Sequence, residues 1–425
     1  MRGYVRWHQL ALGVLCMITI ANLQYGWTLF VGPIDQKFHW GRPAIQTAFT
    51  IFVLAETWLV PIEGYFIDRI GPRVMVAIAG VLVGLAWIIN SRADTVVLLY
   101  AGAAVGGLGA GIVYSAAIGN ALKWFPDRRG LASGLTSAGF GVGSAITVVP
   151  IANMIQSNGY ETAFLYFGIA QGLIIIIAAP CLRFPRAHDT IGRNPTTSVA
   201  DLMPIQALSQ PTFWLLYAIF TLVLTGGLMS TAQLAPIAQD FKISNVPVSI
   251  LGLTLPALTF ALTLDRTLNG VTRPLFGWVS DQIGRENTMF FAFLMEAGAI
   301  LLLACVGHDP TWFVIASALV FFAWGEIFTL FPALCTDLFG SRFATTNYGM
   351  LYTAKGVAAI LIPLGNLLAG YTGSWSTVFL VAALFNIVAG VLTFFVLKPA
   401  RLKMRDGRAL SGTSKLRVAA RTRPD

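Results

Sequence analysis

Residues 64–71 read GYFIDRIG, and residues 277–284 read GWVSDQIG. Each closes a long apolar run with a turn that holds glycine, aspartate and a basic neighbour. Whether one is a copy of the other decides the fold. Two further matches stand in the same order. PIDQKF at 33–38 matches PIAQDF at 236–241, and Gly134 and Gly141 match Gly349 and Gly356. All recur at an offset of roughly 210 residues, at equivalent places in the apolar pattern, which marks an internal repeat.

Composition says what is repeated. The chain has 425 residues, is 56% hydrophobic and only 11% charged, with a mean hydropathy of +0.72. A soluble domain has about 25% charged residues. Apolar runs lie near 9–32, 44–67, 74–91, 96–122, 130–154, 161–182, 211–235, 248–279, 288–306, 311–336, 346–371 and 375–397. Each is about the length a bilayer crossing needs. The expectation is an all-α membrane protein with twelve transmembrane helices in two six-helix pseudo-repeats. Residues 1–182 form the first half, 183–210 a polar linker, 211–397 the second half and 398–425 a basic tail. The first run is too long for the apolar core of a signal peptide and is read as a retained helix. Cys16, Cys181, Cys305 and Cys335 fall in or beside spans and suggest packing rather than a disulfide or a metal site.

A net charge of +9 raises the question of nucleic acid, and its placement answers it. One side holds Arg2, Arg6, Arg69, Arg73, Lys123, Arg128, Arg129, Arg183, Arg186, Arg193, Arg285, Arg342 and every basic residue from Lys398 onward. The other holds only Lys37, Arg42, Arg92 and Lys242. By the positive-inside rule both termini face the cytoplasm, in a plasma or inner membrane. The basic tail is placed to touch anionic lipid or to remain a solvated end.

Few charges remain at depth: Glu56, Glu63, Asp265, Arg266, Arg273, Glu296, Glu326 and Lys355. Each costs at least about 2.5–3.5 kcal/mol at a helix centre, so each needs a partner or a wet cavity. At about 1.5 Å per residue, Arg273 lies ~12 Å, and Lys355 and Glu326 each ~16 Å, from the loops that follow or precede them. Half the hydrocarbon thickness is about 15 Å. All three are therefore near the midplane of the second half, and Arg266 lies two turns outward on the face of Arg273. Paired cations at one depth suit an anion: arginine offers a planar fork for carboxylate, lysine a point charge. The competing reading is internal pairing, in which Asp265 or Glu326 neutralises Arg266 or Lys355. Tyr25, Tyr114, Phe140, Trp324, Phe328 and Tyr352 share this depth and would wall a small polar cavity. Tyr352 precedes Lys355 by one turn, so the two share a face. Glu63 is expected to pair across the cytoplasmic face. Glu56 and Glu296 receive no role.

Two six-helix halves in parallel repeat resemble the build of major facilitator transporters, which bind substrate between the halves near mid-membrane. In that superfamily the turn at Gly64, Asp68, Arg69 and Gly71, repeated at Gly277, Asp281, Gly284 and Arg285, serves as a gating loop. Its plainer reading is a capped helix end with a tight glycine turn. More closely, the chain resembles the oxalate:formate antiporter family over nearly its whole length. QYGWTLFVGPI, QTAFT, GYFIDRIGPR, GAGIVY, KWFPDRRGLASGLTSAGFG, NGVTRP, GWVSDQIGR, FFAWG and NY followed by AKG carry the likeness.

The resemblance implies that Arg273 and Lys355 hold a carboxylate substrate. Tyr25, Tyr114 and Trp324 would belong to the box around it, with Gln24 and Gln46 as weaker candidates. It also marks departures. Phe140 and Phe328 stand where the family's exchanger has tyrosine, and Tyr352 replaces a tryptophan. Glu326 replaces a glycine, and Asp265 and Arg266 replace uncharged polar residues. These changes shift the expectation from oxalate toward larger or singly charged organic acids.

The function that follows is alternating-access transport of small organic anions by a monomer, as exchange. Proton-coupled symport of a monocarboxylate is the alternative, with Glu326, or Asp265 beside Arg266, taking the proton. A membrane sensor that binds without flux is the alternative of another class. Enzymatic function is not expected: His8, His39, His188 and His308 lie at the surface, and no G-x-x-x-x-G-K-[ST] motif offers direct ATP use. No cofactor is called for.

Overall fold

The computed structural model describes residues 2–186, 189, 201–231, 234–250 and 252–403. Arg193, His188 and the tail beyond 403 lie outside the described residues.

The first half runs through α1 (Arg2–Tyr25), α2 (Thr28–Phe38), α3 (Arg42–Trp58), α4 (Val60–Ile70), α5 (Pro72–Ser91), α6 (Val96–Trp124), α7 (Arg129–Asn158) and α8 (Tyr160–Ala178). The short α9 (Pro204–Leu208) lies in the linker. The second half follows with α10 (Pro211–Thr231), α11 (Leu234–Asp240), α12 (Ala257–Ile283), α13 (Arg285–Val306), α14 (Pro310–Trp324), α15 (Ile327–Phe339), α16 (Ala344–Tyr352), α17 (Ala354–Thr372) and α18 (Trp375–Val391). Pairs α1–α2, α3–α4, α10–α11, α14–α15 and α16–α17 are single spans with a break, so twelve spans result. Among the described residues, ten are long and apolar enough to cross a membrane when the α3–α4 pair, bent by 45°, counts as one. The remaining two, α12 and α16–α17, carry Arg273 and Lys355.

One expected boundary is wrong. The span read as 248–279 begins instead with a β-hairpin, β1 (Pro247–Ile250) against β2 (Leu253–Pro256), antiparallel with Val248 opposite Leu255. The alternation of Val248 and Ile250 with Ser249 gives a period of two. Gly252, at φ +83°, supplies the left-handed turn residue. The helix starts only after Pro256, whose fixed φ suits an N-terminus.

Within each half the helices approach closely over small residues. A side chain at Gly168 would strike Trp87, and one at Gly172 would meet the backbone of Gly80 and Gly84. Between halves, α7 packs along α12 and α4 against α16. Three helix breaks fall beside residues that line one cavity, after Tyr25, Trp324 and Tyr352. Breaks there free backbone polar groups, and such irregular backbone is tolerated at membrane depth only where it lines a cavity or lies in protein.

Candidate functional site

A cavity of 390 Å³ lies between the halves, and its wall includes Tyr25, Tyr114, Phe140, Trp324, Phe328, Tyr352, Arg273, Lys355, Asp265 and Arg266. These are the residues that depth along the helices brings to one level. Gln24 joins them, whereas Gln46 is exposed and lies elsewhere. Asn269, Thr28 and Ser144 also line the wall and were not anticipated. Asn269 had a signal: it precedes Arg273 by one helical turn and so shares its face.

The rings form a connected box. Tyr114 stacks on Tyr352, with centroids 4.8 Å apart and planes at 21°. Phe140 meets Tyr25 edge-on at 5.2 Å, and Trp324 meets Phe328 edge-on at 5.5 Å. The Tyr114 hydroxyl lies 3.4 Å from that of Tyr348. Both cations flank one ring: the Arg273 guanidinium is 4.9 Å, and the Lys355 ammonium 6.0 Å, from the centroid of Phe328.

The two cations are held differently. Arg273 donates to the Ser137 carbonyl oxygen at 2.8 Å and to Asn269 Oδ1 at 2.6 Å. Both partners are neutral, and its Nε has no partner among the described residues. Ser137 belongs to the first half, so this arginine already bridges the halves. Lys355 donates to the Tyr352 hydroxyl at 3.0 Å and to Glu56 Oε2 at 3.2 Å. Glu56 comes from α3 of the first half and is fully buried. The expectation that Glu326 or Asp265 would be the partner of Lys355 is therefore corrected. Glu56 had a signal as well: it precedes Asp68 by twelve residues, or ~18 Å of helix, which puts it at the depth of Lys355.

Glu326 is not on the cavity wall. It is fully buried, and neither carboxylate oxygen has a hydrogen-bond partner among the described residues. Helical periodicity explains the placement. Trp324 and Phe328 are one turn apart and face the cavity, while Glu326 falls between them on the far side. It lies within electrostatic reach of Glu296, whose Oε1 accepts from Asn386 Nδ2 at 3.1 Å. Asp265 is buried on the cavity wall with both oxygens unpartnered among the described residues, while its neighbour Arg266 is exposed. Glu63 is also corrected. Its oxygens have no partner across the linker face among the described residues, and it packs beside Gly111 of its own half.

The face that carries the linker is closed beneath the cavity by two matching contacts. Asp68 accepts from the Thr346 backbone N–H at 2.8 Å and from its hydroxyl at 2.7 Å, and pairs with Lys123 at 2.6 Å. Asp281 accepts from the N–H groups of Gly130 and Leu131 at 3.1 and 2.9 Å, and pairs with Arg285 at 2.6 Å. Each repeated aspartate thus sits at the N-terminal turn of a helix in the opposite half, where unsatisfied N–H groups and the helix dipole favour negative charge. Asp337 adds Arg129 at 2.5 Å from the other half and Arg285 at 3.2 Å.

The glycines of the motif divide the work. Gly71 and Gly284, at φ +101° and +95°, turn the chain. Gly64 and Gly277 permit close approach. A side chain at Gly64 would lie 2.8 Å from the Thr345 carbonyl oxygen, and one at Gly277 would strike that of Gly130. Arg69 differs from the expectation for the group. It donates to the Tyr65 hydroxyl on its own helix at 2.7 Å and makes no bond across the halves among the described residues.

Comparison with known proteins agrees with this architecture. The family model of the Major Facilitator Superfamily matches residues 11–363 and 249–424. The chain is 36% identical over 394 residues to the oxalate:formate antiporter of Oxalobacter formigenes, covering 92% of this chain and 91% of that one. It is 21% identical to monocarboxylate transporter 12-B of Danio rerio, over 85% and 81% of the two chains. Among solved structures, the transporter FucP in its outward conformation superposes with a TM-score of 0.67 at 15% identity, covering 91% and 98% of the chains. The proton:xylose symporter XylE superposes with a TM-score of 0.71 at 13% identity, covering 93% and 97%. Two repeated halves, a cavity between them and this match along the whole chain lead to one conclusion: the protein is a member of the Major Facilitator Superfamily.

Proposed function

We propose that the protein carries small carboxylates across the membrane by alternating access, exchanging one for another. The observation that carries this reading is Arg273. It is a buried cation on the cavity wall, held by neutral groups alone, with Lys355 across the same aromatic ring. A carboxylate entering the cavity would accept from the guanidinium and gain a charge-assisted bond in a site of low dielectric. The Trp324 indole N–H, also without a partner among the described residues, is a second donor on the same wall. The similarity to an oxalate:formate antiporter supports the substrate class.

The contacts between Asp68 and Thr346, and between Asp281 and the start of α7, close the linker face. By the positive-inside rule, the basic residues gathered there favour the cytoplasm for that face. In this arrangement the cavity is closed on the linker side and would take its substrate from the opposite side. Transport then requires these latches to release while the halves rock about the anion. The carrier works as a monomer in a plasma or inner membrane.

Asp265 favours a second reading, proton-coupled symport of monocarboxylates, because it is a buried carboxylate on the wall with no partner among the described residues. One experiment separates the two. Proteoliposomes are loaded with oxalate, formate or lactate, or left empty, and uptake of labelled external substrate is followed with and without an inward proton gradient. Stimulation by internal anion is the expected result. Stimulation of empty vesicles by the proton gradient would establish symport, and binding without flux in either case would refute transport.

A further inference from the structure

The charges at the cavity do not add up to a site for a dianion. Lys355 is matched by Glu56 at 3.2 Å. Arg266 is exposed, and Arg273 is a buried cation on the wall held by neutral groups among the described residues. Glu56 is not at the surface of the site. It is fully buried on α3, where α17 crosses so closely that a side chain at Gly356 would meet Thr57 and Trp58.

From this we infer that Glu56 is a built-in competitor for Lys355 and sets substrate charge: the resting carrier takes monocarboxylates at Arg273, and a dicarboxylate binds at both cations only when a proton has taken the place of Lys355 on Glu56. The inference rests on the carboxylate reading above. The step balances simply. One proton from solvent bonds to a Glu56 oxygen, the neutral acid releases Lys355, and the ammonium binds the second carboxylate of the ligand. Without that proton, a dianion would drive the lysine from a buried carboxylate and leave it unpaired inside the membrane, which is strongly unfavourable.

The surroundings of Glu56 are consistent with such a role. Its Oε1 has no partner among the described residues. Lys355 and the hydroxyl of Tyr352 face it from the second half, and Tyr114 lies within electrostatic reach on α6. Glu63 stands further along the same broken span, on α4 toward the linker face, and the two carboxylates interact. Arg273, the other buried cation at this depth, acts on Tyr114 and Tyr352. Asp265 is the remaining acid on the cavity wall.

The test is equilibrium binding of oxalate and of formate to the purified full-length carrier in nanodiscs, by calorimetry at pH 5.5 and 7.5. The wild type should bind oxalate at least tenfold tighter at the lower pH and formate about equally at both. Glu56→Gln should bind oxalate tightly at both values, whereas Asp265→Asn should keep the step. Lys355→Gln, which strands Glu56, should lose formate binding at pH 7.5 and regain part of it at pH 5.5, where a proton can take the lysine's place. The double variant Glu56→Gln/Lys355→Gln should bind formate at pH 7.5 more tightly than Lys355→Gln, without regaining oxalate. That rescue shows that the single variant's loss comes from the stranded charge and not from misfolding. A pH step that survives Glu56→Gln, or a monodisperse double variant that binds no formate, would overturn the inference. Loss of all binding in Arg273→Gln would leave the carboxylate reading standing in that event, and unaltered binding there would take both down.

Discussion

The carboxylates at the linker face and those in the membrane interior are treated in opposite ways by the same fold. At the linker face Asp68, Asp281 and Asp337 each have a cation and a contact in the opposite half. In the interior Asp265, Glu63 and Glu326 have no hydrogen-bond partner among the described residues, and Glu296 has only an amide. Among the described residues only Glu56 is paired with a cation at depth, and its partner comes from across the halves. Acids that latch a closed face need strong, specific partners that one movement can remove together. Acids at depth are costly unless neutralised or set in a wet cavity.

The comparison can be broken most severely at the latch. Gly64→Ala and Gly277→Ala would each drive a methyl group into backbone of the opposite half, where overpacking costs about 1–3 kcal/mol in the closed arrangement. Transport should fall roughly tenfold to a hundredfold, and a reporter cysteine on the linker side of the cavity should label faster. Unchanged transport in both would mean that the contacts at α4–α16 and α7–α12 do not gate.

Asp281→Asn should come next. It keeps the shape, but removes the charge that two N–H groups and Arg285 share. Charge-assisted bonds are about twice as strong as neutral ones, so a loss of flux of around tenfold is expected. Asp68→Asn should match it to within about threefold if the pseudo-symmetry extends to energetics. A large imbalance between the two variants would show that one latch dominates.

A smaller effect is expected at depth. Asp265→Asn should leave exchange at neutral pH within about threefold and abolish any stimulation of monocarboxylate uptake by an inward proton gradient. Full stimulation in that variant would remove Asp265 from the proton path and direct attention to Glu56. The smallest change is expected for Lys37→Gln, on the face opposite the linker. Its bond to Glu161 is 2.6 Å, but the lysine side chain is 53% exposed, and such pairs contribute about 0–1 kcal/mol. Flux within twofold of wild type is the expected outcome, measured in the same vesicles.

Much of this was accessible from the chain before its fold was seen. The repeat of GYFIDRIG as GWVSDQIG predicted two halves, and the structure adds that each aspartate docks on a helix start in the other half. Depth followed from residue spacing, since the rise of a helix is fixed, and it put Arg273, Lys355 and six aromatic residues at one level. Azimuth was harder. Spans break at Gly26, Gly325 and Thr353, and a face read on one side of a break need not continue on the other. Even so, Glu326 lies between Trp324 and Phe328, and their shared face already excluded it from the wall. The Glu56–Lys355 pair required knowing that α3 crosses α17, a contact between residues 299 apart in sequence. Nothing in the local pattern of either helix encodes that crossing. The hairpin at Pro247–Pro256 was missed because its apolar residues extended the apolar run of the helix.

The most direct test of the central claim is counterflow of labelled oxalate and formate in proteoliposomes that contain matched amounts of wild type, Arg273→Gln and Lys355→Gln. Removing one partner of a buried charged contact costs about 2–5 kcal/mol, so both variants should lose exchange to background while incorporating normally. Wild-type counterflow by both variants would contradict the assignment of the cavity as the carboxylate site.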